Sequence, residues 1–448
     1  MANKSSKHSV LLKEEECEGC TNCVKNCPTK AIRVHQGKAT IKEDLCIDCA
    51  ECIRTCEYHA KYTETDKLTI INNYSYPVAL IPPSFYGQFD EDVDPVKIKL
   101  GLKNLGFKQI KDVAFAAEVI SRKTADFLKN NQGLFISSSC PVIVRLIKIS
   151  YPELLDYLIQ FKSPVEMMAQ KIRNEFKSEN NNKIKPGLFF ITPCPAKLTT
   201  VNNVPGMEKS FLDGALAVDK IYEKLLSSMK EITDKELNNF KNSKLSYPGI
   251  SWGQSGGEIS VLQNIQEIST LSVEGISAVK SVLDEIVRDN LKGIRYLEMV
   301  ACPEGCVGGV LNVNNPFQAK HNIKQLISKQ QDKMIVKDDS KFSGKLDFKF
   351  KADQVGKLDQ NIDKAVEKFT RLEQEKEILP GLDCASCGAP DCETLAEDIV
   401  NGKAQRTDCI FMLRKEIEDM AHQISSLTQE LPPVMSRNQD EEGENNES

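Results

Sequence analysis

The chain has 448 residues, 40% of them hydrophobic and 27% charged, enough to bury more than one core and unlike a disordered or fibrous composition. A formal net charge of -6 gives no basic field to draw in nucleic acid, the polar start Met1 to Val10 lacks the apolar stretch of a secretory signal, and no apolar run reaches the roughly 20 residues that cross a bilayer. These features predict a cytoplasmic protein of several domains without nucleic-acid partner or membrane span, in which glutathione and thioredoxin keep the 16 cysteines reduced and available to metal.

Residues 1–66 hold half of the cysteines in two copies of one motif, Cys17-Glu-Gly-Cys20-Thr-Asn-Cys23-Val-Lys-Asn-Cys27 and Cys46-Ile-Asp-Cys49-Ala-Glu-Cys52-Ile-Arg-Thr-Cys56. Three cysteines at this spacing wrap one face of a 4Fe-4S cube and the fourth reaches the neighbouring cube. The pattern therefore predicts crossed ligation in a ferredoxin-like α+β module, with Cys17, Cys20, Cys23 and Cys56 at one site and Cys46, Cys49, Cys52 and Cys27 at the other. Thiolates are soft ligands suited to iron, and tight loops aim backbone N–H groups at the sulfurs. Zinc knuckles take their four ligands as two pairs, which two runs of four do not supply. The first motif closes Cys27-Pro28, as in bacterial ferredoxins; the second closes Cys56-Glu57, which alters the shielding of its cluster and leaves the ligands intact.

From 67 to 375 the texture is α/β. Short apolar runs at Val78–Ile81, Leu134–Ile136 and Leu188–Ile191 alternate with helical patterns at Glu208–Met229 and Ala278–Leu291, predicting sheets covered by helices. The Asn- and Lys-rich stretch Ser178–Lys185 reads as a loop before the strand at Leu188. Four cysteines lie here in three frames: Ser138-Ser139-Cys140-Pro141, Thr192-Pro193-Cys194-Pro195-Ala196-Lys197, and Ala301-Cys302-Pro303-Glu304-Gly305-Cys306-Val307-Gly308-Gly309. A lone cysteine beside an apolar strand is ordinarily a small core residue. Four of them at Pro- or Gly-marked turns point to a ligand set, and the glycines around Cys306 would let backbone approach a bulky inorganic centre.

A Leu-Pro-Gly turn at 379–381 opens a small helical segment, 376–412, with the last quartet: Cys384, Cys387, Cys392 and Cys409. Gly388, Ala389 and Pro390 turn the chain, and a helix starting over Leu395–Val400 brings Cys409 back. The segment resembles the 4Fe-4S domain of electron-transfer complexes and corrinoid iron–sulfur proteins, with a zinc ribbon as the alternative. Over 413–431, Leu413, Ile417, Met420, Ile424, Leu427 and Leu431 step by four and three, the seam of a coiled coil of about two and a half heptads. At that length it is either a homodimer contact or an amphipathic helix packed on its own domain. Pro432 and Pro433 stop the helix, and 432–448 is acidic and Asn-rich, the composition of a disordered tail.

The three central frames, in this order and after a two-cluster module, resemble the signatures of the iron-only (FeFe) hydrogenase large-subunit family over roughly residues 75–370. The resemblance implies an α/β hydrogenase-like domain in which Cys140, Cys194, Cys302 and Cys306 hold a 4Fe-4S cube and Cys306 bridges to a two-iron unit carrying carbonyl and cyanide. It further implies that Lys197 donates to a cyanide, and that Pro82, Pro83, Ser84 and the loop Trp252 to Gly257, with Ser255 and Gly256, line the pocket. Departures are as telling. Ser139 stands where the family has a proton-passing cysteine, and a hydroxyl is far less acidic than a thiol with pKa near 8.5. Arg122 and Ala125 replace the glutamates that continue that path, Thr200 replaces another, Val300 replaces a methionine, and Gly308-Gly309-Val310 replaces a glycine triplet. The pattern resembles a divergent or sensory branch.

The implied function is an electron-wired redox protein: a partner such as ferredoxin feeds four 4Fe-4S sites, and a hydrogenase-like centre senses hydrogen or redox state, or turns hydrogen over slowly. A working ferredoxin-dependent hydrogenase and an electron-transfer protein without the two-iron unit are the alternatives. His35, His59 and His422 read as solvated or capping residues. No Ser-His-Asp set or phosphate loop occurs, and Gly-Gln-Ser-Gly-Gly at 253–257 lacks the nicotinamide spacing.

Overall fold

The structure, a computed structural model, describes residues 7–179, 184–240, 244–328, 342–353, 355, 358–359 and 361–429. Two compact units divide the chain, 1–32 with 37–355 and 33–36 with 356–448. The first 66 residues contain four short strands, β1 (Val10–Leu12), β2 (Ile32–His35), β3 (Lys38–Ile41) and β4 (Lys61–Thr63). Strands β1 and β4 pair antiparallel with Leu12 opposite Lys61, so the two ends of this segment meet. The repeat in sequence is also a repeat in backbone: Gly19 and Asp48, Thr21 and Ala50, and Lys30 and His59 occupy matching places, and all have left-handed φ between 52° and 66°. Such residues turn successive N–H groups toward a common concavity, an arrangement that favours anions.

The remainder of the first unit is built on two parallel sheets. One has the order β6-β5-β8-β9, from β5 (Pro77–Ile81), β6 (Gln109–Asp112), β8 (Gly187–Thr192) and β9 (Gly214–Ala217). The other has the order β10-β11-β7, from β7 (Phe135–Ile136), β10 (Thr270–Glu274) and β11 (Tyr296–Val300). Every residue of β5, β8, β9 and β11 is buried, as parallel strands covered on both faces require. Alternate side chains serve opposite cores: Ile81, Phe189 and Leu216 pack with Ile98, Leu102 and Leu225, while Val78, Leu80 and Phe190 pack with Val119, Met168 and Ile172.

The expected helix over Glu208–Met229 is corrected. Gly214–Ala217 is a strand beside β8, and the helix runs only from Val218 to Lys230. The apolar residues at 215–217 satisfy either period, and pairing with Phe189–Thr192 decides for the strand. The second helical pattern holds as Ile276–Val287, and Ser178 and Glu179 still belong to the helix Pro164–Glu179.

In the second unit, the helix Ile362–Ile378 packs on Cys392–Val400, over a small core of Leu379, Ala389, Leu395 and Ala396. Arg33 and Asp398 form a buried ion pair there, and Glu375 accepts both Nε and Nη2 of Arg406 at 2.7 and 2.8 Å. The last described helix is Ile410–Gln429. Its seam is uncovered, with Leu413, Ile417, Met420, Ile424 and Leu427 between 42% and 63% exposed. Among the described residues the seam is therefore not packed on its own domain. Leu431, Pro432, Pro433 and the tail 432–448 lie outside the described residues.

Candidate metal centre

Four loops that leave the carboxyl ends of β5, β7, β8 and β11 carry the central site, the end at which open parallel sheets place their ligands. They are Pro82-Pro83-Ser84, Ser137 to Cys140, Pro193-Cys194 and Ala301-Cys302. Each Cys-Pro pair has a local reason. Proline is preorganised for the first helical position, so Cys140 and Cys194 become the N-caps of Pro141–Ser150 and Pro195–Asn202. Both thiols thus sit at the positive ends of helices, which favours thiolate. Glycines bring the remaining loop in, but the backbone they admit is protein backbone. A Cβ on Gly309 would lie 2.3 Å from the Pro193 carbonyl oxygen, and one on Gly305, at φ +89°, 2.4 Å from the Ser255 nitrogen.

The four thiols feel one another. Burial pushes Cys302 up to about 11, with Cys140 and Cys306 adding to the rise. Burial also raises Cys194, against Lys197 and together with Cys302 and Cys306, and it raises Cys140 with help from Cys306. Four mutually repelling sulfurs with little solvent form a donor set that a cationic soft-metal centre satisfies.

Beside them lies a cavity of about 90 Å³. Pro82, Pro83, Ser84, Ser139, Trp252 and Cys306 line it, as do Lys197, Thr200 and Val300. Lys197 donates from Nζ to Cys306 Sγ at 3.1 Å. Burial opposes its charge, yet Cys306 and Cys194 outweigh burial and hold its pKa above the ordinary lysine value. Ser84 is fully buried, and its Oγ has no hydrogen-bond partner among the described residues. An ammonium, an unsatisfied hydroxyl and a thiol facing one space fit a compact group with polar ligands. Ser255, Gly256 and Gly257 are not among the lining residues, whereas Gly253 is. The Gly256 N–H donates to Glu298 at 2.9 Å and, at φ +78°, this residue starts the helix Gly257–Ile265.

Ser139 is tied to acids that the sequence reading passed over. Its Oγ donates to Glu258 Oε2 at 3.2 Å, Ser137 Oγ donates to the same oxygen at 2.7 Å, and Tyr296 donates to Oε1. Burial raises the Glu258 carboxyl. Burial, with Glu258 close by, pushes Glu298 up to about 8. Both glutamates line the cavity, while Arg122 and Ala125 do not. One signal was available: Glu298 stands in the middle of the apolar run Tyr-Leu-Glu-Met-Val, where an acid without a role is costly.

In the first 66 residues each motif feels the last cysteine of the other. The thiol of Cys23, raised by burial to about 11, feels Cys20, Cys17 and Cys56. That of Cys49, raised by burial, feels Cys27, Cys52 and Cys46. Cys20 alone of these is exposed. Asp48 locks the second motif to the central site. Its carboxylate accepts Ser9 N at 2.8 Å, Thr199 Oγ1 at 2.7 Å and Arg145 Nη1 at 2.7 Å. His8, missed in the sequence, brings a ring nitrogen within 4.8 Å of Cys46 Sγ and an Asp48 oxygen. His35, His59 and His422 are exposed. In the second unit one small cavity is lined by all four of Cys384, Cys387, Cys392 and Cys409.

Residues 75–310 match the family described as iron only hydrogenase large subunit, C-terminal domain; residues 16–61 match a 4Fe-4S dicluster domain and 379–411 a putative Fe-S cluster domain. The chain is similar to iron hydrogenase 1 of Clostridium pasteurianum, 27% identical over 277 residues that cover 51% of this chain and 48% of that protein. It is also similar to the NADP-reducing hydrogenase subunit HndD of Solidesulfovibrio fructosivorans, 21% identical over 387 residues, 74% of this chain and 60% of that one. The chain thus spans about half the length of the curated relatives it matches. Among solved structures it is similar to the [FeFe]-hydrogenase HydA(deltaEFG), with TM-score 0.44, 15% identity, and coverage of 55% of this chain and 83% of that one. A second is apo HydA1 from Chlamydomonas reinhardtii, with TM-score 0.44, 14% identity, and coverage of 62% and 95%. No described helix is long and apolar enough to cross a membrane. The hydrogenase match takes in more than half of the chain, and with the two flanking iron–sulfur matches it places this protein in the iron-only hydrogenase large-subunit family, carrying an amino-terminal 4Fe-4S module.

Proposed function

We propose that this is a cytoplasmic redox protein that passes electrons, from a partner such as ferredoxin, through four 4Fe-4S clusters to a hydrogenase-like centre, which senses molecular hydrogen or redox state or turns hydrogen over slowly. In this reading the four clusters are held by Cys17, Cys20, Cys23 and Cys56; by Cys46, Cys49, Cys52 and Cys27; by Cys140, Cys194, Cys302 and Cys306; and by Cys384, Cys387, Cys392 and Cys409. Cys306 would hold a two-iron unit, which would supply the chemistry that interconverts protons, electrons and hydrogen. Lys197 donates a hydrogen bond into the cavity from beside Cys306, and the free hydroxyl of Ser84 offers a second. Pro82, Pro83 and Trp252 wall the space.

The observation that carries the slow or sensory reading is Ser139. Its hydroxyl, not a thiol, meets the cavity, and its proton is committed to Glu258. Glu258 holds the network together by accepting from Ser137, Ser139 and Tyr296, and the buried carboxyls of Glu258 and Glu298 can keep a proton near the cavity. A serine relays that proton less readily than a cysteine. The uncovered seam of Ile410–Gln429 supports pairing with a second copy.

Infrared spectroscopy of anaerobically matured protein tests the centre, because carbonyl and cyanide stretches arise only if the two-iron unit binds. Their absence from iron-replete protein would leave the electron-transfer reading alone. Hydrogen evolution should be slow in the native chain and faster in Ser139→Cys. A native rate equal to that of fast hydrogenases would refute the argument from Ser139.

A further inference from the structure

We propose that two cations, the buried ammonium of Lys61 and the partly buried guanidinium of Arg54, stand between successive cysteine quartets and set the reduction potentials of the clusters held on either side. The inference rests on the reading that the quartets hold 4Fe-4S clusters.

Lys61 is in the short strand β4 and only 3% exposed, yet its side-chain nitrogen has no hydrogen-bond partner among the described residues. A buried ammonium without partners is expensive, and it persists where anions nearby compensate it. The groups that feel it belong to both amino-terminal quartets. Cys23 and Cys52 are raised by burial, to about 11 and about 12, and in each the largest opposing influence is Lys61. Cys23 belongs to the first quartet and Cys52 to the second, so the one ammonium acts on both sites, and β4 itself packs on the helix that carries Cys52.

Arg54 repeats the arrangement one site further on. It leaves the one-turn helix that carries Cys52; Nη1 reaches the Cys49 carbonyl at 3.2 Å and pairs with Glu51 at 2.8 Å, which offsets part of its charge, while Nη2 reaches the Gly308 carbonyl at 2.8 Å. The thiol of Cys302, raised by burial, is opposed most strongly by Arg54. One guanidinium thus touches the loop of the second quartet and a member of the central one. Along the first unit anionic sites and cations alternate: first quartet, Lys61, second quartet, Arg54, central quartet, Lys197.

Reduction adds a negative charge to a cluster that its thiolates already make anionic. A fixed cation favours the reduced form over the oxidised one, and in a low-dielectric interior the effect is weakly screened. Each interposed cation therefore raises the potential of both neighbours and offsets the repulsion that an electron on one site exerts on the next. Arg54 also helps to join the two loops. The Lys61 ammonium makes no hydrogen bond among the described residues, so its part is electrostatic.

The test is redox-titrated electron paramagnetic resonance on full-length protein reconstituted anaerobically, with iron and sulfide quantified in each sample. Lys61→Met should move both amino-terminal clusters to lower potential by at least a tenfold change in the reduction equilibrium, about 59 mV for one electron, while Lys61→Arg should stay near the native values. Arg54→Met should lower the second and central sites and leave the first in place. If Lys61→Met fails to retain its clusters, Lys61→Gln decides by the same shift. Full clusters with unmoved potentials in the neutral Lys61 variant would overturn the proposal and leave the cluster reading standing. A native chain without iron and sulfide would defeat the cluster reading, and this inference with it.

Discussion

In β11, Glu298 accepts the N–H groups of Gly256 and Ile259 at 2.9 Å each, yet burial and the neighbouring Glu258 push its carboxyl from about 4.5 up to about 8. The unfolded chain loses this proton near pH 4.5 and the folded chain retains it to about 8. Between those values the folded state binds more protons, so its stability falls as pH rises, and the full contribution is present only below the lower value. Thermal unfolding followed from pH 5 to pH 9 should show this decline in the native chain and a flatter profile in Glu298→Gln, which stays neutral throughout. Equal slopes would mean that the shift is not real. The same two acids give the cavity a place to keep a proton: the hydroxyls of Ser137 and Ser139, from one loop, and of Tyr296, from β11, converge on Glu258.

At the scale of elements, the second cysteine motif is tied to the two helices that present Cys140 and Cys194. Asp48 is the tie. It is 1% exposed, it pairs with Arg145 of Pro141–Ser150, and it accepts from Thr199 of Pro195–Asn202. Removing one partner of a buried charged pair leaves the other uncompensated, a loss of about 3–5 kcal/mol. Asp48→Ala should therefore unfold at markedly lower denaturant concentration than the native protein when both are compared anaerobically. A loss below about 1 kcal/mol, the worth of an exposed pair, would show that Asp48 is only a surface contact.

At the scale of the whole molecule, the helix Ile410–Gln429 begins immediately after Cys409 and displays its apolar side to solvent. Ile410, Ile417 and Ile424 share one heptad position and Leu413, Met420 and Leu427 the other. β-Branched residues at the first and leucine at the second favour two parallel strands. Sedimentation should give a dimer for the native chain and a monomer for Ile417→Glu combined with Ile424→Glu, with iron content unchanged because neither residue is a cysteine ligand or its neighbour. A native monomer at micromolar concentration would dismiss the pairing.

The repeated cysteine motifs of the first 66 residues were legible in sequence because their spacing is local: loops of two and three residues determine which sulfurs can face a common centre, whereas the central four cysteines, remote from one another, were grouped only through the likeness of their frames to a family. Cys-Pro pairs likewise announce a strand ending and a helix beginning, which is why Cys140 and Cys194 could be read from their frames. What the tertiary structure alone decided rests on neighbours remote in the chain. Ser139 meets Glu258 across 119 residues, and Lys61 and Arg54 become interposed cations only when the first motifs fold against each other and against the Cys302 loop. Gly214–Ala217 became a strand, against its helical pattern, because β8 offered it a pairing edge. Spacing along the chain can specify a ligand set, but burial and charge depend on what folding brings alongside, and no window of sequence contains that.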